Sequence, residues 1–198
     1  TNSIGESEGR YEDATMQRHY EDLVDVIAWA KTQPWFITPF VIAGHSLGGY
    51  AVARYAEEHP EEVKAVFPFA NVVSGELSFE ANERSKPERL KEWKETGWFI
   101  RTSNSKPGTV MRLPWSHMEE RLNHDLRPHA DRLTMPVLMI VGTEDDSTPP
   151  DHQQIFFDLI PGNEKELHII DGAPHTMKSP EDLAQVKEIL DAWIKKIG

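Results

Sequence analysis

The chain contains no cysteine among its 198 residues. That excludes a disulfide, a thiolate nucleophile and any cysteine-ligated metal. Positive charge is also scarce. Lys and Arg number 21 against 33 Asp and Glu, a formal net charge of −12. Nucleic acids and anionic membranes are bound through basic footprints, so neither is expected as a partner, and highly anionic substrates are disfavoured. No apolar run approaches the ~20 residues of a membrane span. No apolar leader of the secretory kind opens the chain, so a cytoplasmic location is the expectation. No internal repeat is visible. What remains is an ordinary globular composition, 38% hydrophobic and 27% charged, in a chain long enough for one domain with an inserted cap.

The hydrophobic pattern alternates between strand and helix. Residues 1–14 are polar and read as a loop. Met16, Tyr20, Leu23, Val24 and Ile27 fall at helical spacing, and Pro34 closes that helix. Apolar runs at 39–43, Val63–Phe69, 135–141 and 166–170 read as strands, largely apolar as buried parallel strands are. Helices are expected from Ser46 to about His59, from Pro149-Pro150 through Leu159, and after Ser179-Pro180, where Leu183, Val186, Leu190, Trp193 and Ile197 form an apolar stripe. Strands alternating with helices predict an α/β fold with a doubly wound, mostly parallel sheet. Residues 71–132 break the rhythm with charges, Trp93, Trp98 and Trp115, and turn residues. They read as a mostly helical cap inserted into a core formed by 1–70 and 133–198, with helices over Pro87–Thr96 and 116–126.

Gly44-His45-Ser46-Leu47-Gly48 lies between a strand and a helix, the context of a nucleophile elbow. The turn is so tight that only tiny residues fit two before and two after the serine, a need met by Gly44 and Gly48. The helix start behind Ser46 offers unpaired N–H groups and the positive end of a dipole, both suited to an oxyanion. Gly5-Glu6-Ser7-Glu8-Gly9 repeats the pattern, but no strand precedes it and two carboxylates flank its serine. It reads as a solvated turn.

A serine hydroxyl needs a base, and the base needs an orienting carboxylate. In doubly wound folds sites gather at the carboxyl ends of strands. Past the strand at 135–141 come Glu144, Asp145 and Asp146, and past 166–170 comes His175. Asp145 is the preferred acid, with Glu144 and Asp146 as alternatives, and His175 is the base. His45 adjoins the nucleophile, but alternation along an extended segment turns it elsewhere, so it reads as support. His117, His124 and His129 lack metal-site spacing and read as surface or cap-lining. No metal and no organic cofactor is expected. Trp93, Trp98, Trp115 and Met118 would supply apolar walls if the insertion lies over the nucleophile.

The motifs Gly44-His45-Ser46-Leu47-Gly48-Gly49, Gly142-Thr143-Glu144-Asp145 and Pro174-His175 resemble those of the α/β-hydrolase superfamily, in the manner of bacterial dienelactone hydrolases and feruloyl (cinnamoyl) esterases. The resemblance implies Ser46 as nucleophile, Asp145 as acid, His175 as base and the Leu47 N–H as one oxyanion donor. It also implies strands before the elbow that this chain does not show. About four strands and the second oxyanion donor are therefore expected from a preceding N-terminal segment or from a second chain that completes the sheet. The expected activity is that of a serine carboxylesterase cleaving a small-molecule ester with a small or aromatic acyl group. A thioesterase or acyltransferase using the same triad, or a non-catalytic binding module of this fold, are the alternatives.

Overall fold

The computed structural model describes residues 7–102 and 108–198. Residues 1–6, which include Gly5 and Glu6 of the second Gly-x-Ser-x-Gly, lie outside the described residues, as do 103–107. Four parallel strands form one sheet in chain order: β1 (Phe40–His45), β2 (Val63–Phe69), β5 (Val137–Glu144) and β6 (Lys165–Pro174). Both faces carry helices, as the α/β expectation requires. On one face α1 (Met16–Lys31), α2 (Leu47–Glu58) and α6 (Pro150–Leu159) bury Met16, Tyr20, Tyr50, Phe156, Val66 and Met139 in one core. On the other, α7 (Pro180–Ile197) closes over Phe67, Leu138, Ile140 and Ile170 with Trp193. Ile189 joins that contact, while Leu183, expected in the stripe, stands exposed beyond it.

β1 forms one edge of the sheet, paired through β2 alone among the described residues. Its burial alternates residue by residue, and Val41 is 48% exposed. α7 covers the sheet only as far as β2, which is why that side of β1 lies open.

The insertion contains α3 (Gly75–Ser85), α4 (Pro87–Thr96), α5 (Ser116–Arg121) and a 3₁₀ turn at Arg127–Arg132. It also contains an antiparallel pair, β3 (Trp98–Thr102) and β4 (Val110–Pro114), in an insertion expected to be mostly helical. Trp98 and Phe99 are aromatic and Ile100 and Val110 β-branched, the residue types that strands favour. Polar residues around them mask the alternation. The two ends of the insertion meet. Leu126 N–H donates to Val73 O at 3.0 Å and Gly75 N–H to His124 O at 2.8 Å. The insertion also caps α1 from outside: Glu120 accepts from Met16 N–H at 3.1 Å and Gln17 N–H at 2.9 Å, beside the N-cap Thr15.

Close approach at the elbow falls on Gly44 and Gly49. A Cβ on Gly44 would stand 2.2 Å from Gly48 O, and one on Gly49 2.6 Å from Asn71 Cβ. A Cβ on Gly48 would meet nothing within 4 Å. The second tiny residue demanded by the turn is therefore Gly49, not Gly48. Gly44→Ala is expected to lower stability by about 1–3 kcal/mol through overpacking. Gly48→Ala should be neutral or stabilising by up to about 1 kcal/mol, since it replaces a helical glycine. Urea unfolding of the two variants side by side checks this, and equal losses would refute the assignment.

Candidate active site

Three strand ends bring the predicted residues together. Ser46 follows β1 directly at φ 58°, ψ −118°, a positive φ that a serine adopts only under constraint. The constraint comes from β2: Ser46 N–H donates to Phe69 O at 3.0 Å, and Val72 N–H donates to Ser46 O at 3.3 Å. Helix α2 starts at Leu47, so the Leu47 N–H belongs to the first turn, which has no carbonyl one turn back.

His175 follows β6. That strand runs past Ile170 to Pro174 with a register shift against β5, and Gly172 sits at φ 71°. A Cβ on Gly142 would lie 1.9 Å from Ala173 O, so the two strands touch backbone to backbone just before the histidine. His175 Nε2 stands 3.0 Å from Ser46 Oγ, and His175 Nδ1 2.8 Å from Asp145 Oδ2. An ionised carboxylate only accepts, so Nδ1 carries the proton and Nε2 is left to accept from the serine hydroxyl.

Of the three neighbouring acids, Asp145 alone makes this contact. Its residue is 2% exposed. Glu144 ends β5 and is exposed, while Asp146 pairs with Lys86 at 2.5 Å. Burial by itself would raise the Asp145 carboxyl. The hydrogen bond with His175 and the N–H groups of Thr148 (2.8 Å) and Ser147 (2.9 Å) on Oδ1 hold it below the ordinary carboxylate value.

Thr148 was missed by sequence reasoning. Its Oγ1 lies 2.8 Å from Asp145 Oδ2, 2.9 Å from Ala70 O and 3.2 Å from His175 Nδ1. It ties the acid to the end of β2, where Ala70 sits at φ 43°. A signal existed in the sequence. Asp145-x-Ser147-Thr148 is the pattern of an aspartate that folds the following backbone N–H groups onto its own carboxylate. No comparable signal marked Ala70.

His45 turns away from Ser46 as expected and donates from Nε2 to the backbone carbonyl of His175 at 2.9 Å, the two rings 4.8 Å apart. Burial lowers its affinity for a second proton. His117 is buried on Glu12 O (2.7 Å), His124 bridges Tyr50 Oη (3.0 Å) and Glu120 Oε1 (2.5 Å), and His129 is exposed. Trp93, Trp115 and Met118 cluster with Leu90, Phe79 and Phe99, all within the insertion, and the Trp93 indole N–H donates to Leu113 O at 3.0 Å. Trp98 lies under the Arg112 guanidinium at 4.4 Å. The described residues that cluster as metal ligands would are His59, Glu61 and Glu62. They lie past the far end of α2, and Glu62 is already engaged by Lys31 and Tyr55.

The family model of the prolyl oligopeptidase peptidases (S9) matches residues 8–197. The chain belongs to the prolyl oligopeptidase family. The family lies in the α/β-hydrolase superfamily, and solved structures agree on the fold. Alpha/beta hydrolase domain-containing protein 10 from mouse superposes with a TM-score of 0.75 at 23% identity, over 99% of this chain and 76% of that one. Est1E from Butyrivibrio proteoclasticus, solved with ferulic acid bound, gives 0.71 at 22% identity, over 98% and 74%. Among curated relatives, the mitochondrial palmitoyl-protein thioesterase ABHD10 of Mus musculus is 24% identical over 197 residues, 98% of this chain and 63% of that protein. The chain thus spans less than two thirds of the length of that relative. An uncharacterised 31.7 kDa protein of Escherichia coli is 24% identical over 221 residues.

Asp145→Asn tests the electrostatics without assuming a reaction. A carboxyl held low in the folded state stabilises the fold above its unfolded value and loses that contribution as pH falls through the folded one. At neutral pH the variant should be less stable by about 1.5–3 kcal/mol, the range for a hydrogen bond involving a charge. The gap should close in acid, once wild-type Asp145 is itself protonated. Denaturant melts across the acid range check it. A gap independent of pH would remove the charge from the argument.

Proposed function

We propose that this chain is a serine hydrolase of the carboxylesterase type, acting through an acyl-enzyme on Ser46. One observation carries the reading: the unbroken hydrogen-bonded series from Ser46 Oγ through His175 to Asp145. His175 Nε2 takes the hydroxyl proton as Ser46 Oγ attacks the acyl carbonyl. Asp145 holds the imidazole in the required tautomer and stabilises its charged form. The oxyanion falls at the start of α2, where the Leu47 N–H donates and the helix dipole is positive. His175 returns its proton to the leaving group, then activates water to release the acid.

A small or aromatic acyl ester is the proposed substrate. A second reading, thioester cleavage with the same three residues, draws support from the relative named as a palmitoyl-protein thioesterase. A fluorophosphonate probe with peptide mapping tests the nucleophile. Ser46 should be labelled, and Ser46→Ala should be unlabelled while melting as wild type does. Turnover of short p-nitrophenyl esters should fall by roughly a million-fold in Ser46→Ala and in His175→Ala. Ser7→Ala should change little. Folded protein that neither labels at Ser46 nor turns over esters or acyl thioesters would mean a binding module on the same fold.

A further inference from the structure

The carboxylate of Asp145 is held unevenly. Both of its backbone N–H bonds, from Ser147 at 2.9 Å and Thr148 at 2.8 Å, fall on Oδ1. The oxygen that faces the imidazole is Oδ2. Among the described residues, the group that bonds Oδ2 besides His175 itself is the Thr148 hydroxyl, at 2.8 Å. A carboxylate pinned at one oxygen can still swing the other, and a swing lengthens and bends the bond to His175 Nδ1.

The Thr148 oxygen has three neighbours of different character. Ala70 O at 2.9 Å and the ionised Asp145 Oδ2 only accept, while His175 Nδ1 at 3.2 Å carries a proton in the tautomer that leaves Nε2 to accept from Ser46. A hydroxyl has one proton to give and two lone pairs. It donates toward the two acceptors and turns a lone pair to the Nδ1–H, which then has a second acceptor beside the carboxylate. Thr148 is 4% exposed and Ala70 is fully buried, so water does not compete for these bonds. Ala70 also lies in the segment whose Phe69 O and Val72 N–H grip the Ser46 backbone. One hydroxyl therefore touches the acid, the base and the chain that fixes the nucleophile. Gln153 braces the same segment from α6. It is fully buried and its Nε2 donates to Asn71 O at 2.8 Å, but among the described residues it reaches no atom of Ser46, His175 or Asp145.

We propose that Thr148 is a positioning residue for the acid–base pair: its hydroxyl fixes Asp145 Oδ2 opposite His175 Nδ1 and keeps the imidazole aimed at Ser46. The inference rests on the reading of these three residues as an acyl-transfer set. No proton passes through Thr148. The Nδ1 proton stays on the imidazole when Nε2 takes the serine proton, and the new positive charge is met by an Oδ2 already in place. Preorganised geometry of this kind lowers the barrier without touching the substrate. Loss of the hydroxyl should therefore slow the chemical step and leave binding alone.

Thr148→Val keeps the outline of the side chain and removes the hydroxyl, and a thermal melt checks that each variant folds. In hydrolysis of p-nitrophenyl esters by the full chain, Thr148→Val should lower kcat by about ten- to a hundred-fold with KM unchanged. It should slow fluorophosphonate labelling of Ser46 by the same factor, and Thr148→Ser should restore most of both. Proton spectra in water of protein isotope-labelled at its histidine nitrogens read the geometry apart from turnover. The low-field Nδ1–H resonance of His175, assigned by its loss in His175→Ala, should move upfield and broaden in Thr148→Val and return in Thr148→Ser. Gln153→Met removes a brace of the same segment and should lower the melting temperature while leaving that resonance in place. If Thr148→Val keeps the wild-type kcat and resonance, if Thr148→Ser is as impaired as Thr148→Val, or if Gln153→Met moves the resonance as far, Thr148 is scaffold only and the proposal is wrong. A folded wild-type chain that neither labels at Ser46 nor turns over esters would overturn the serine hydrolase instead, and the resonances would still decide the role of Thr148.

Discussion

The structure depends on one close backbone crossing at the start of α2. Gly44 and Gly49 let β1, the first turn of α2 and the segment after β2 approach more closely than any side chain would permit. Ser46 is held at positive φ between them, its own N–H and carbonyl both bonded to the chain leaving β2. The strained conformation persists because its neighbours over-determine it. The geometry lifts the hydroxyl clear of the sheet and puts it over the helix N-terminus. A looser turn would lose the strain, the exposure and the dipole together.

From that fixed point the parallel sheet supplies the rest. Strands β1, β5 and β6 run the same way, so their carboxyl ends lie side by side and present Ser46, Asp145 and His175 to one another. Register alone would not give hydrogen-bond distances. The fine placement comes from cross-links between the strand ends: Thr148 joins the acid to Ala70, and His45 joins the nucleophile strand to the backbone of His175. Each of the three groups is thus positioned by a strand other than its own, which makes the set cooperative.

How much of this could be read from residues alone depends on how local the cause is. The four sheet strands and the helices at Pro87–Thr96 and Pro150–Leu159 were legible because apolar runs and proline or glycine punctuation sit within each segment. Ser46 and His175 were legible because a strand precedes each. Asp145 could be ranked but not separated from Glu144 and Asp146, since their difference lies in which of them the register shift between β5 and β6 leaves buried. The hairpin of β3 and β4 was not anticipated in an insertion expected to be mostly helical, because polar residues around its apolar positions obscure the two-residue period. Gly48 was chosen over Gly49 by motif spacing, whereas the decisive contact, with Asn71, comes from a segment more than twenty positions away. Trp93, Trp115 and Met118 carry no sign in the sequence of whether they face a site or each other. Their packing within the insertion settles only that they touch each other.

Helix α2 gives the molecule its electrostatic axis. Twelve residues separate a positive end, opened by the elbow, from a negative end where Glu57 and Glu58 stand together. The first end suits developing negative charge on a substrate oxygen. The second raises the cost of charge on a buried carboxyl. Both ends are shaped by chain segments from outside the helix: β2 at the elbow, and the insertion beside Glu57 through Asp125 and Arg132. The insertion therefore touches the helix at the end remote from Ser46, and through Glu120 it also holds the start of α1, which packs along α2.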